Sequence, residues 1–180
     1  MIYQSSQMEE QAVLQTAARM CAAARTAPKA NGKDYVQTLV LTGQEKAALA
    51  DKMDEIGRRE FGEKAGVWFG RDANNVRSAQ AVVLIGIAPV YRGVPHCSFC
   101  GFRDCGTCKS TGGNCAIAYV DLGIALSSAA ATAMMDKVDN RIMFSIGKAA
   151  AEMHYTDGEA LWHGIPISVS GKSIFYDRKQ

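Results

Sequence analysis

The sequence predicts one domain that mixes helices with strands, α/β or α+β, and three observations carry that expectation. Apolar residues recur at helical spacing over several long stretches. Two short runs, residues 35–41 and 81–88, are dense in β-branched and apolar residues and read as buried strands. No linker, repeat or low-complexity segment divides the 180 residues, and 48% apolar composition suffices for one sizeable core.

The first helix is expected over about residues 6–27. Ser6 and Glu9 form a capping box at its start. Ala12, Val13, Thr16, Ala17, Met20, Ala24 and Ala27 recur at helical spacing, with Cys21 inside as a small buried hydrophobe. Pro28 ends the helix, and residues 29–34 read as a loop. After the strand at 35–41, Thr42 and Glu45 form a second capping box and open a helix to about Phe61, with Leu49, Met53 and Ile56 on its inner face. Val67-Trp68-Phe69 is an apolar run of undecided type, and residues 71–77 read as a loop or helical turn.

The strand at 81–88 feeds a cysteine-rich loop, residues 89–113, and a helix over about 114–137 follows. That helix is mostly alanine and carries Asp121, Ser127, Ser128 and Thr132, so it reads as buried rather than as a membrane span. Its small residues suit tight packing on a sheet, or a dimer interface, or the underside of a flat cofactor. Asp121 within it is either a buried acid with a partner or an exposed position. A helix over 140–152, a strand over 166–170 and a short edge strand over 173–177 complete the chain. Asp139, Asn140 and Arg141 are read either as a local cap or as a polar trio beside a cofactor.

The net charge is only +2 and the lysines and arginines are scattered, which argues against a nucleic-acid or anionic-membrane partner. Met1-Ile2-Tyr3-Gln4 does not begin a secretory signal, so a cytoplasmic protein is expected. Six cysteines are then not a disulfide framework, because that compartment keeps thiols reduced. Five of them, Cys97, Cys100, Cys105, Cys108 and Cys115, fall within 19 residues.

Thiolates at that density suit either zinc or an iron–sulfur cluster. A structural zinc site usually holds two C-x2-C pairs about 12 or more residues apart. Here four residues separate the pairs, which favours a larger group bound by one winding loop. Gly101, Gly106, Gly112 and Gly113 let backbone N–H groups approach cluster sulfides. A thiol redox sensor on Cys105 and Cys108 is a third reading, and it leaves three cysteines unexplained. His96 is a second candidate ligand type, more ordinary as a neighbour than as a ligand.

Cys97-x2-Cys100-Gly101-x3-Cys105 resembles the opening of a four-iron cluster domain of electron-transport and corrinoid proteins. The next cysteines follow after three and ten residues, so Cys108 and Cys115 compete for the fourth place. The segment Ala22 to Gly32, with Ala27-Pro28-Lys29-Ala30-Asn31, resembles the helix-to-loop segment of the nitroreductase family, and the order of elements after it is similar. The cysteine loop, Asp139-Asn140-Arg141 and the ending from Gly164 to Ser173 with Phe175-Tyr176-Asp177-Arg178 resemble a prokaryotic family described as containing a ferredoxin domain.

These resemblances imply an α+β domain with a central mixed or antiparallel sheet flanked by helices, spanning 1–180, with the cysteine loop inserted at about 89–115. They imply a homodimer with FMN at its interface, for which Arg25, Lys29, Asn31, Lys33, Lys172 and Arg178 are the candidate contacts. The function expected is that of an iron–sulfur redox protein carrying a [4Fe-4S] cluster. It would be an electron-transfer protein or flavin-linked oxidoreductase, served by a partner protein or a small electron carrier. The alternative is a non-enzymatic module whose loop binds zinc or a cluster only as a staple.

Overall fold

The computed structural model describes residues 1–65 and 67–176. Among the described residues, six α-helices, α1 (Ser5–Thr26), α2 (Gly43–Ala65), α3 (Val67–Ser78), α4 (Cys105–Ser110), α5 (Ala116–Met135) and α6 (Phe144–Glu152), with one 3-10 turn at Ala30–Gly32, surround four strands, β1 (Val36–Leu41), β2 (Ala81–Ile87), β3 (Asp139–Asn140) and β4 (Leu161–Ser168). The sheet order is β1-β2-β4-β3 and every pairing is antiparallel. The fold is thus α+β.

β2 lies inside the sheet and is buried along its whole length. Its alternation splits the core in two. Ala81, Val83, Ile85 and Ile87 face α1 and α5, together with Ile165 and Ile167 of β4. Val82 and Leu84 face α2, α3 and α6, with Trp162 of β4. The sheet is the middle of three layers.

Several expectations shift by a few residues, each for a physical reason. α1 starts at Ser5, and its cap is Gln4, whose backbone N–H donates to Gln7 Oε1 at 2.9 Å, not the Ser6–Glu9 pair. The break expected at Phe61 falls at Gly62, where φ is 67° inside α2. Residues 67–78 form one helix, α3, whose Phe69, Ala73 and Val76 are buried. The late strand begins at Leu161, five residues earlier than expected. His163 and Gly164 interrupt the apolar pattern, yet both pair with β2. The edge strand expected at 173–177 is a turn through Tyr176, and Asp177 lies outside the described residues.

Gly147 and Gly164 explain the close seat of α6 on β4. A Cβ at Gly147 would stand 1.8 Å from the Trp162 carbonyl oxygen, and one at Gly164 would stand 2.0 Å from Ile146 Cγ2. Gly147→Ala forces helix and strand apart. A loss of about 3 kcal/mol is expected, or roughly 10 °C in Tm at this size. Thermal unfolding followed by circular dichroism measures it; an unchanged Tm would show that the contact yields freely.

Candidate functional site: a cavity lined by four cysteines

β2 ends at Ile87, and the chain then winds through residues 88–115 before entering α5. Two ties close this winding. Tyr91 donates its hydroxyl to the Gly113 carbonyl at 2.6 Å, and Gly101 N donates to Ser98 O at 2.9 Å. α4 interrupts the loop as a short helix that was not expected. Asp104 caps it, accepting from Thr107 N at 2.8 Å and Thr107 Oγ1 at 3.0 Å. Those bonds and the Arg103 guanidinium hold the Asp104 carboxyl below its usual range. The Asp104-x-x-Thr107 spacing was the available signal for α4.

The loop encloses a cavity of about 360 Å³. Cys97, Cys100, Cys105 and Cys115 line it, along with Gly93 to His96 and the first turn of α5. Cys115 occupies the N-cap of α5. His96 and Ser98, on the cavity wall, have φ of 56° and 47°, a left-handed backbone that non-glycine residues adopt at a cost.

Cys108 is placed differently. It is fully buried, it does not line the cavity, and its Sγ lies 3.6 Å from the Asn114 carbonyl oxygen. Burial first, then the Cys100 thiol beside it, pushes the Cys108 thiol up to about 11, with Cys115 and Cys105 adding to the rise. Gly113 leaves room for it, since a Cβ there would stand 3.0 Å from Cys108 Sγ. Cys21, in α1, is partly buried against the α1/α5 core, and burial raises its thiol as well.

Among the described residues, no three His, Cys, Asp or Glu side chains close on a point that would hold a single ion. A zinc ion needs ligands within about 2.3 Å of one centre. A cluster is larger and takes its thiolates around its outside. Four thiols around one cavity are a soft donor set of the kind that holds a cluster or a zinc ion.

The candidate flavin contacts do not assemble in the same way. Lys29 Nζ turns back onto the end of α1, donating to Arg25 O at 2.6 Å and Ala27 O at 2.8 Å, with its side chain 5% exposed. Arg25 pairs with Asp34 at 2.7 Å. Asn31 donates its amide to the Arg92 carbonyl at 2.9 Å. Lys33 and Lys172 lie on the surface, and Arg178 is outside the described residues. Arg25, Lys29 and Asn31 thus serve the protein's own backbone and an ion pair, and they do not fit a phosphate cradle. The Asp139-Asn140-Arg141 trio is not beside the cysteines. Asp139 and Asn140 form β3, and Arg141 lines a hollow beside α3.

One pair escaped the sequence reading. Arg92 and Asp121 form an ion pair with side chains 1% and 5% exposed. Arg92 Nη1 also donates to Lys33 O at 2.7 Å, and Asp121 Oδ1 accepts from Ala30 N at 3.0 Å. Asp121 is therefore the buried acid with a partner.

The architecture defines the class: a nitroreductase-like fold with an inserted cysteine loop. A nitroreductase with bound FMN from Desulfitobacterium hafniense DCB-2 superimposes with a TM-score of 0.58 at 16% identity, covering 88% of this chain and 78% of that one. A BluB-like flavoprotein from Clostridium difficile 630 gives 0.60 at 14% identity, covering 92% and 84%. The model of the family described as uncharacterized protein containing a ferredoxin domain (DUF2148) matches residues 111–178. An uncharacterized protein of Archaeoglobus fulgidus is 39% identical over 167 residues, 88% of each chain. The chain belongs to this ferredoxin-domain family.

Proposed function

We propose that the chain is an iron–sulfur redox protein in which Cys97, Cys100, Cys105 and Cys115 hold a [4Fe-4S] cluster. The observation that carries this is the convergence of the thiols: Cys97, Cys100, Cys105 and Cys115 line one cavity, and the fifth, Cys108, is buried beside the Cys100 thiol. When bound, such a cluster takes up and returns one electron at a time. The residues around it supply the rest. The loop glycines allow backbone N–H groups near the sulfides, and Cys115 presents a buried thiol at the start of α5. The reducing conditions of the cytoplasm suit thiols that must stay unpaired. The electron partner is a carrier protein or a small one-electron carrier.

The working unit in this reading is a homodimer through α5. Ala118, Leu122, Ala125 and Ala129 of α5 pack into the core. Its exposed face, Tyr119, Val120, Gly123, Ile124, Ser127, Ala131, Met134 and Met135, carries no charge. α5 is long and apolar enough to cross a membrane, but its inner side is already committed to α1 and the sheet. An uncharged stripe of that length calls for a protein partner, and a second copy supplies a matching one.

Anaerobic purification with a visible spectrum and iron, sulfide, zinc and flavin quantitation tests the proposal. About four irons and four sulfides per chain are expected, with no retained FMN, given the placement of Arg25, Lys29 and Asn31. A colourless protein free of iron, or one holding a single zinc, would overturn it.

A further inference from the structure

We propose that the buried Arg92–Asp121 pair positions and tunes the cluster cradle: it ties together the two arms of chain that carry the cysteines, and it sets the potential at which the cluster takes an electron. This inference rests on the cluster reading above.

The first arm leaves β2 and runs through Arg92 into Gly93, Val94, Pro95, His96 and Cys97, all five of which line the cavity. The second arm is the start of α5, where Cys115, Ala116 and Ile117 line the same cavity. Asp121 is four residues beyond Ile117, hence one turn deeper on the same helical face, roughly 6 Å away. The pair therefore joins the arms immediately behind the cavity wall. Both side chains are almost wholly out of solvent, so the attraction is weakly screened and each charge acts strongly on its surroundings.

The pair also fastens both arms to the loop after α1. Arg92 Nη1 donates to Lys33 O, Asp121 Oδ1 accepts from Ala30 N, and Asn31 donates to Arg92 O. The Arg92 guanidinium lies 5.1 Å from the centre of the Tyr35 ring. A buried pair contributes little to stability compared with an apolar replacement. Its geometric effect here is specific, because no other ion pair among those described joins the Cys97 arm to the Cys115 arm.

The electrostatic consequence has a sign for each partner. Reduction adds one negative charge to the cluster. A buried cation left unpaired favours that state, and a buried carboxylate left unpaired opposes it. Asp121→Asn should therefore move the midpoint potential positive, and Arg92→Met should move it negative. The R92M/D121L variant should return close to the wild-type potential, yet lose iron to a chelator at least tenfold faster because the arms are no longer tied. A residue that mattered only for folding would shift both single variants alike.

The experiment is an EPR-monitored redox titration of the anaerobically purified wild type and these variants, with iron per chain and chelator release measured on the same samples. Opposite shifts in the single variants and faster iron release in the double variant support the proposal. Shifts of the same sign, or none, overturn the tuning role. Wild-type iron release from the double variant overturns the positioning role. Should a single variant fail to fold, the double variant, which leaves no charge unpaired, and Arg92→Lys, which keeps the charge but loses the fork, carry the test. Arg92→Lys should keep a near-wild-type potential and release iron faster. A wild type without iron overturns the cluster reading itself, whereas an iron-loaded wild type with unmoved variants overturns only this inference.

Discussion

Cys115→Ser is expected to strip the protein of iron, while Cys108→Ser leaves about four irons per chain. The two residues are seven positions apart, and composition alone does not separate them. The cavity does: Cys115 lines it from the N-cap of α5, whereas Cys108 is buried behind it, between the Asn114 carbonyl and the Cys100 thiol. Removing one thiolate from a four-thiolate site should weaken retention at least about 100-fold, since even the loss of an outer hydrogen-bond partner to a metal ligand costs 10- to 100-fold. Cys97→Ser, Cys100→Ser and Cys105→Ser should behave as Cys115→Ser does. Iron analysis after gel filtration in the presence of a chelator reads the result. Loss of iron in Cys108→Ser together with retention in Cys115→Ser would reverse the assignment. The same series separates a redox cluster from a staple. A folded, dimeric, iron-free Cys115→Ser protein fits the redox reading, whereas collapse of the fold fits a structural site.

The second large effect concerns assembly. Ile124→Asp should convert a dimer to a monomer in light scattering, with the far-UV spectrum unchanged. Ile124 is exposed in the single chain and lies midway along the uncharged face of α5. In a twofold dimer each substitution appears twice. Two carboxylates brought into an apolar contact cost about 3 kcal/mol or more, which is over 100-fold in Kd. Lys109→Asp, in α4 and on the exposed side of the loop, should leave the mass unchanged. A monomeric wild type, or a dimer that survives Ile124→Asp, would remove α5 as the interface. Partition of the wild type into phospholipid vesicles would point to a lipid surface instead.

The legible part of the fold was its strongly patterned part. β2 was readable because both its faces are buried, which writes an unbroken apolar run. α1 and α5 were readable from helical spacing and small residues. β4 was only half readable: Gly164 is dictated by the approach of Ile146 from α6, a tertiary demand with no local signature. α4 was hidden because cysteine, glycine and threonine are weak helix formers and a six-residue helix has no period to show. At the site, the candidate ligands were visible as spacing, but which thiols line the cavity and which one is buried behind it depends on three-dimensional packing, such as the room that Gly113 leaves for Cys108. Asp121 was open to reading as a buried acid, but its partner was not legible, because 28 residues lie between Arg92 and Asp121 and an arginine after Tyr91 looks like any solvated charge. Lys29 shows the opposite error. Its family-like context suggested an anion, and its ammonium instead caps the end of α1.

The division of the interior into two cores bears on how this protein wears out. Val90, Tyr91, Cys115 and Ile117 pack with the α1/α5 core, whereas the α2/α3/α6 core includes no residue between Leu84 and Met143. Oxidation of the cysteine loop is therefore expected to loosen the α1/α5 face of the sheet before the α2/α3/α6 face, which hydrogen exchange of an oxidised sample would show. Breathing motions and proteolytic nicks would begin on the α1/α5 side, behind a face that stays firm. A damaged molecule of this kind keeps most of its helix content and its outline.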